Sequence, residues 1–198
     1  MMRIKDNSSK LKEEFTGISN IVNKIANKIN AHFINKYREC WIPDDENLKL
    51  AKAFSENPYI KIPKHYIGFL SRFTVINYRF SAVNEFLCIL SGPEPQRTIL
   101  QDRLIAIFKN TKHKIVIVTG TENCPESPSK NITIVPMVDD QDLQKLISRA
   151  ETIICRSGYS SLMDLITLNR SAILIPTPNQ PEQEILAKEI EKMGADSI

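Results

Sequence analysis

An α/β fold, a doubly wound parallel sheet with helices on both faces, is predicted by three observations on residues 85–198. First, five apolar runs occur at Phe86–Leu90, Lys114–Thr119, Ile132–Val138, Thr152–Cys155 and Ala172–Ile175. They are near-continuously hydrophobic, as strands buried on both faces must be. Second, helical patterns separate most of them: Gln96–Phe108, Gln141–Ala150 and Ser160–Leu168, with Pro181–Met193 after the last. Third, strands that alternate with helices pair in parallel, because each helix carries the chain back to the same end of the sheet.

The elements follow in order. Met1 to Glu14 is polar, and with Phe15 it lacks the apolar core of a signal peptide. A helix is predicted over residues 17–38, with Ile18, Ile21, Val22, Ile25, Ala26, Ile29, Phe33, Ile34 and Tyr37 on one face. Its other face carries Asn23, Lys24, Asn27, Lys28 and Lys36. Such a helix packs on the body of a protein, or lies on an anionic membrane surface. Glu39–Ile42 reads as a short strand stopped by Pro43, and Asn47–Phe54 as one or two helical turns. Tyr59–Phe73 reads as an extended connector, ended by the polar stretch Asn77–Asn84. The domain boundary is therefore expected at residues 84–85.

In the second part, Ile99, Leu100, Leu104, Ile105 and Phe108 form the first helix face. Leu143, Leu146 and Ile147 form the next, then Leu162, Leu165 and Ile166, then Ile185, Leu186, Ile190 and Met193. Thr119 to Ile132 is a Pro-containing loop.

The bulk chemistry narrows the function. Of 198 residues, 42% are hydrophobic and 25% charged, an ordinary globular balance, and the net charge of +3 gives no argument for nucleic acid. Cys40, Cys88, Cys124 and Cys155 are widely spaced, and the only histidines are His32, His65 and His113, so no zinc pattern exists. Nothing calls for an oxidising compartment, so a cytoplasmic location is expected. No apolar stretch is long enough to span a bilayer. The Gly-x-Gly-x-x-Gly, P-loop and Gly-x-Ser-x-Gly patterns are all missing.

Ligands of such sheets bind beyond the carboxyl ends of the strands. Three loops there carry suggestive residues. Ser91-Gly92-Pro93-Glu94-Pro95 offers a glycine that lets backbone approach a ligand, though it is also common turn material. Val135 to Asp140 offers backbone groups that could read a flat base, or is simply a turn with Asp140 as helix N-cap. Arg156-Ser157-Gly158 opens a helix whose N–H groups and dipole suit a diphosphate. Asp164, two turns on, could accept both hydroxyls of a ribose, or be a surface acid. Arg156 either adds positive charge or is an exposed side chain.

The run Arg156-Ser157-Gly158-Tyr159-Ser160-Ser161-Leu162-Met163-Asp164, then Ile173–Pro176, then Pro181-Glu182-Gln183 with Ala187, resembles a known family. It is similar to the C-terminal, Rossmann-like half of GT-B glycosyltransferases of family 28. That family includes the peptidoglycan N-acetylglucosaminyltransferases that form lipid II. The resemblance covers Glu85 to the C-terminus. It implies a UDP-sugar donor, with UDP-N-acetylglucosamine expected, no cofactor and no metal. Carried over, Ser157 and Gly158 meet the diphosphate, and Ser91 with Gly92 approaches it. Asp164 holds the ribose, the backbone near Met137 meets uracil, and Glu182 and Gln183 contact the sugar. The acceptor-binding half, in cis or in trans, is an implied partner, as is peripheral association with the inner face of the membrane.

Three departures stand out. Leu186-Ala187 replaces the family's Asn-Ala, and Asp164 replaces its usual Glu. Residues 1–84 are expected to be a remnant of the N-terminal domain plus a connector, and the family continues beyond Ile198. No catalytic residue is assigned. His65 and His113 are poorly placed as bases, while Glu94 and Glu182 stay open. A non-catalytic nucleotide-binding or subunit-interaction module, and UDP-sugar 2-epimerase chemistry on the same fold, are the alternatives.

Overall fold

A computed structural model of the chain describes residues 22–50, 52–74, 84–122 and 125–193. Ile18, Ile21, Cys124, the polar stretch from Asn77 and the end from Gly194 to Ile198 lie outside the described residues. The chain divides into two compact units, Met1–Gly68 and Phe69–Ile198. That division falls inside the stretch read as connector, ahead of the boundary expected at residues 84–85.

In the first unit, helix α1 runs through residues 22–34. The short strands β1 (Cys40–Ile42) and β2 (Lys64–Tyr66) pair in parallel, and the one-turn helix α2 (Lys52–Ser55) lies between them in sequence. Two asparagines join these pieces. Asn57 Nδ2 donates to the Asn27 carbonyl and Asn35 Nδ2 donates to the Tyr59 carbonyl. The apolar stripe of α1 is not packed on the described residues of the chain. Val22, Ile25, Ile29 and Phe33 are all more than half exposed, and the helix buries Ala31 instead.

The second unit is built on five parallel strands in the order β5-β4-β3-β6-β7. They are β3 (Asn84–Ile89), β4 (Ile115–Val118), β5 (Ile132–Val135), β6 (Ala150–Cys155) and β7 (Ala172–Leu174). Four helices connect or follow them: α3 (Gln96–Phe108), α4 (Asp140–Ser148), α5 (Tyr159–Thr167) and α6 (Pro181–Met193). The doubly wound reading holds because successive side chains of each strand point to opposite faces. On one face Cys88, Ile115, Ile117, Ile132 and Ile154 pack with Leu100, Leu104 and Phe108 of α3. On the other, Leu87, Val116, Val118, Ile153 and Cys155 pack with Leu143 and Ile147 of α4 and Leu165 of α5. Each fully buried Leu or Ile contributes about 1.5–3 kcal/mol. Ile99 was expected in the α3 core face but is 40% exposed, because the burying stripe is Leu100, Leu104 and Phe108.

Candidate functional site

The site is positioned by the order of the strands. β3 lies at the centre of the sheet. The chain runs outward through β4 to β5, then returns to β6 and β7 on the other side. Connections therefore diverge between the carboxyl ends of β3 and β6, the topological switch point where such sheets open a crevice. Ile89 pairs with Cys155 at those two ends. Two residues past each member of this pair stands a Ser-Gly: Ser91-Gly92 after β3 and Ser157-Gly158 after β6.

The two glycines differ. Gly92 has φ +96°, a left-handed conformation that demands glycine. Gly158 has φ −73° and ψ 142°, which any residue adopts, and a Cβ built there would meet nothing within 4 Å. The fold alone does not require glycine at 158. Gly158 is the N-cap of α5, no side chain caps it, and no acid stands in the first turn. The positive end of the helix dipole is thus not neutralised by an acid from that turn.

Around this turn the predicted residues are already engaged. Ser157 is fully buried, and its hydroxyl donates to the Gln183 carbonyl at 2.8 Å. The contact joins the start of α5 to α6. Gln183 Oε1 accepts from the Thr177 N–H at 2.9 Å, and its Nε2 donates to Gln180 Oε1 at 2.7 Å. Glu182, beside it, is exposed in the first turn of α6. Arg156 is neither exposed nor aimed outward. It is 3% exposed, and its guanidinium donates to the carbonyls of Gln96, Ile175 and Pro176. It ties the start of α3 and the turn after β7 beneath the α5 turn, and burial lowers its pKa.

Asp164 is likewise not a surface acid. It is buried in α5, where Oδ1 accepts from Ser71 Oγ at 2.7 Å and Oδ2 from Arg72 Nε at 3.0 Å. Arg72 Nη1 also donates to Asp140 Oδ1 at 2.9 Å, bridging the beginnings of α4 and the body of α5. Ser71 and Arg72 are the polar partners that sequence reasoning missed. The signal was that a buried carboxylate needs a cation or donors, but nothing in the spacing names residues more than ninety positions away.

Met137 is exposed in the turn after β5, and its N–H donates to the Thr121 carbonyl at 2.8 Å. The helix that follows is capped by Asp139, whose side chain accepts from the Asp142 N–H, and not by Asp140 as the sequence suggested. Asp139 is extended (φ −69°, ψ 170°), the backbone an N-cap needs, while Asp140 is already helical.

The candidate bases are weak ones. Glu94 accepts from Arg97 and from the Thr98 N–H, and these contacts, Arg97 first, hold its pKa below the usual value. An acid so stabilised as carboxylate is a poor proton acceptor. His113 pairs with Glu85 at 2.8 Å at the amino ends of β3 and β4, the wrong end of the sheet. His65 lies in β2, 3.4 Å from Glu39. Burial pushes the Cys88 and Cys155 thiols up to about 12, which removes them as nucleophiles. Among the described residues no group of three or more His, Cys, Asp or Glu is placed to hold a metal ion. No described helix is long and apolar enough to cross a membrane.

A groove of about 840 Å³ runs beside the edge strand β7, lined by Thr152, Leu165, Ile173, Ala187 and Ile190 among others. It contains none of the expected donor residues. It marks the open edge of the sheet, whereas the polar groups converge at the carboxyl ends.

The pattern of the glycosyltransferase family 28 C-terminal domain matches residues 86–198. The chain belongs to that family. A UDP-N-acetylglucosamine–N-acetylmuramyl-(pentapeptide) pyrophosphoryl-undecaprenol N-acetylglucosamine transferase of Finegoldia magna is 26% identical over 194 residues, 88% of this chain and 50% of the relative. The enzyme of the same description from Lactobacillus johnsonii is 26% identical over 201 residues, 89% of this chain and 51% of the relative. The NDP-glycosyltransferase YjiC of Bacillus licheniformis is 33% identical over 93 residues, 46% of this chain and 22% of the relative. The chain spans about half the length, or less, of these relatives.

Proposed function

We propose that residues 69–198 form the donor-binding half of a hexosyltransferase and hold a UDP-sugar, with UDP-N-acetylglucosamine as the first candidate. The observation that carries this reading is the pair of Ser-Gly turns at the switch point, with α5 opening at Gly158 without a side-chain cap. Backbone N–H groups and the helix dipole suit the diphosphate there, and the space in front of Gly158 lets it approach. The relatives' printed activities support UDP as the carrier.

In the transfer, an acceptor hydroxyl attacks the anomeric carbon and the bond to the diphosphate breaks. Negative charge grows on the leaving UDP. The positive end of α5 stabilises that charge, and needs no metal to do so. The base that takes the acceptor proton is expected from an acceptor-binding half, in cis or in trans, since the lowered pKa of Glu94 makes it a weak base and His113 lies at the far end; Glu182, exposed in the first turn of α6, is the candidate these residues themselves offer.

Calorimetry with UDP on the full chain tests the reading. Binding is expected; no heat at millimolar UDP with the fold intact sinks it. Incubation with UDP-N-acetylglucosamine alone separates the epimerase alternative, which needs no acceptor and would show a new UDP-sugar.

A further inference from the structure

We propose that Ser71 and Arg72 form a latch on Asp164, which the ribose of the nucleotide must displace in order to bind. The inference rests on the donor reading above and adds a gate to it. Asp164 is the acid expected to take both ribose hydroxyls. A ribose diol would come to the same two carboxylate oxygens from outside. Both are engaged within the chain: Oδ1 by the Ser71 hydroxyl at 2.7 Å, Oδ2 by Arg72 Nε at 3.0 Å. The Asp164 side chain is only 10% exposed, while that of Arg72, which covers it, is 49% exposed. The shorter acid strengthens the argument, because Asp reaches one methylene less far than Glu and cannot extend past its partners.

The surroundings permit a small movement. The backbone following the latch is fixed: Phe73 is buried in the core, and the Thr74 carbonyl accepts from Gln144 Nε2 at 2.6 Å. The side chains are not fixed in the same way. Arg72 is also held by the exposed Asp140, so release from Asp164 leaves it tethered at the start of α4. Ser71 needs only a rotation about χ1. That rotation also frees the Phe73 N–H, which donates to Ser71 Oγ at 3.0 Å. Latch opening therefore has its own reporter, separate from affinity.

A competitor removed must raise the affinity of the ligand it opposes. UDP binding is measured by calorimetry on the full chain for the wild type, Arg72→Ala and Ser71→Ala. The latch predicts UDP bound about threefold or more tightly by each variant, as expected for loss of a partly exposed charged or polar contact. Unchanged or weaker binding overturns it and makes the pair positioning residues. Should Arg72→Ala fail to fold, Ser71→Ala and hydrogen exchange of the wild type decide. Saturating UDP should speed exchange at the Phe73 amide; slower or unchanged exchange overturns the latch. If neither wild type nor any folded variant binds millimolar UDP, the donor reading fails and the latch falls with it. If UDP binds but the variants and the Phe73 amide do not respond as stated, the latch alone fails.

Discussion

Helices α4 and α5 leave the same end of the same sheet and begin in opposite ways. α4 is finished by its own chain: Asp139 accepts from the Asp142 N–H, and Asp140 and Asp142 add negative charge to the first turn. α5 opens at Gly158 with no side-chain cap and no acid in its first turn. Its turn is held from beneath, by buried Arg156 and Ser157. A helix start of the first kind meets its electrostatic needs locally. One of the second kind keeps a place for an anion from outside, and the fold meets the cost elsewhere.

The comparison can be broken at its support. Arg156→Met removes the donors to three carbonyls and should cost about 3 kcal/mol in denaturant unfolding. A loss below about 1 kcal/mol would show that the α5 turn stands without it. Next in size, Gly158→Asp gives α5 the kind of cap α4 has. UDP should bind at least about tenfold more weakly in calorimetry, through repulsion at the helix start, while thermal stability holds or rises. Unchanged UDP affinity would mean that α5 is not the anion site. Asp139→Ala, the converse change, should lower stability by about 1 kcal/mol and leave UDP affinity alone.

The smallest effect concerns α3, whose start is held by Glu94 accepting from Arg97 and the Thr98 N–H. Because the folded pKa of Glu94 is depressed, its contribution is complete above the unfolded value of about 4.3. That contribution is lost as pH falls through the folded pKa. Arg97→Gln should move the Glu94 titration, followed by NMR, back up toward the ordinary value; no movement would assign the shift to the Thr98 contacts alone.

Much of this molecule was legible in its residues. Alternating apolar runs and helical patterns placed five strands and the helices between them, because burial on both faces leaves no other pattern for a strand. Gln96–Phe108 and Pro181–Met193 are read to the residue, while the other elements of the sheet unit differ by at most three residues at either end, as with Ile132–Val138 against the observed Ile132–Val135. The Ser-Gly pairs after β3 and β6 were visible too, since glycine at a strand end is a local signal. The α1 stripe is legible as a face, but periodicity says only that Ile25, Ile29 and Phe33 share it, not what covers it.

By itself, then, the sequence determined the alternation of strands and helices, the Ser-Gly turns and the family. These depend on periodicity and on residues near each other in the chain. Only the tertiary structure decided what the polar side chains do. It turned Arg156 inward onto three carbonyls, Ser157 onto Gln183, and Asp164 onto Ser71 and Arg72. A buried charge or hydroxyl must find a partner, but that partner is chosen by folding, across separations of 26 residues for Ser157 and 93 for the Ser71 contact.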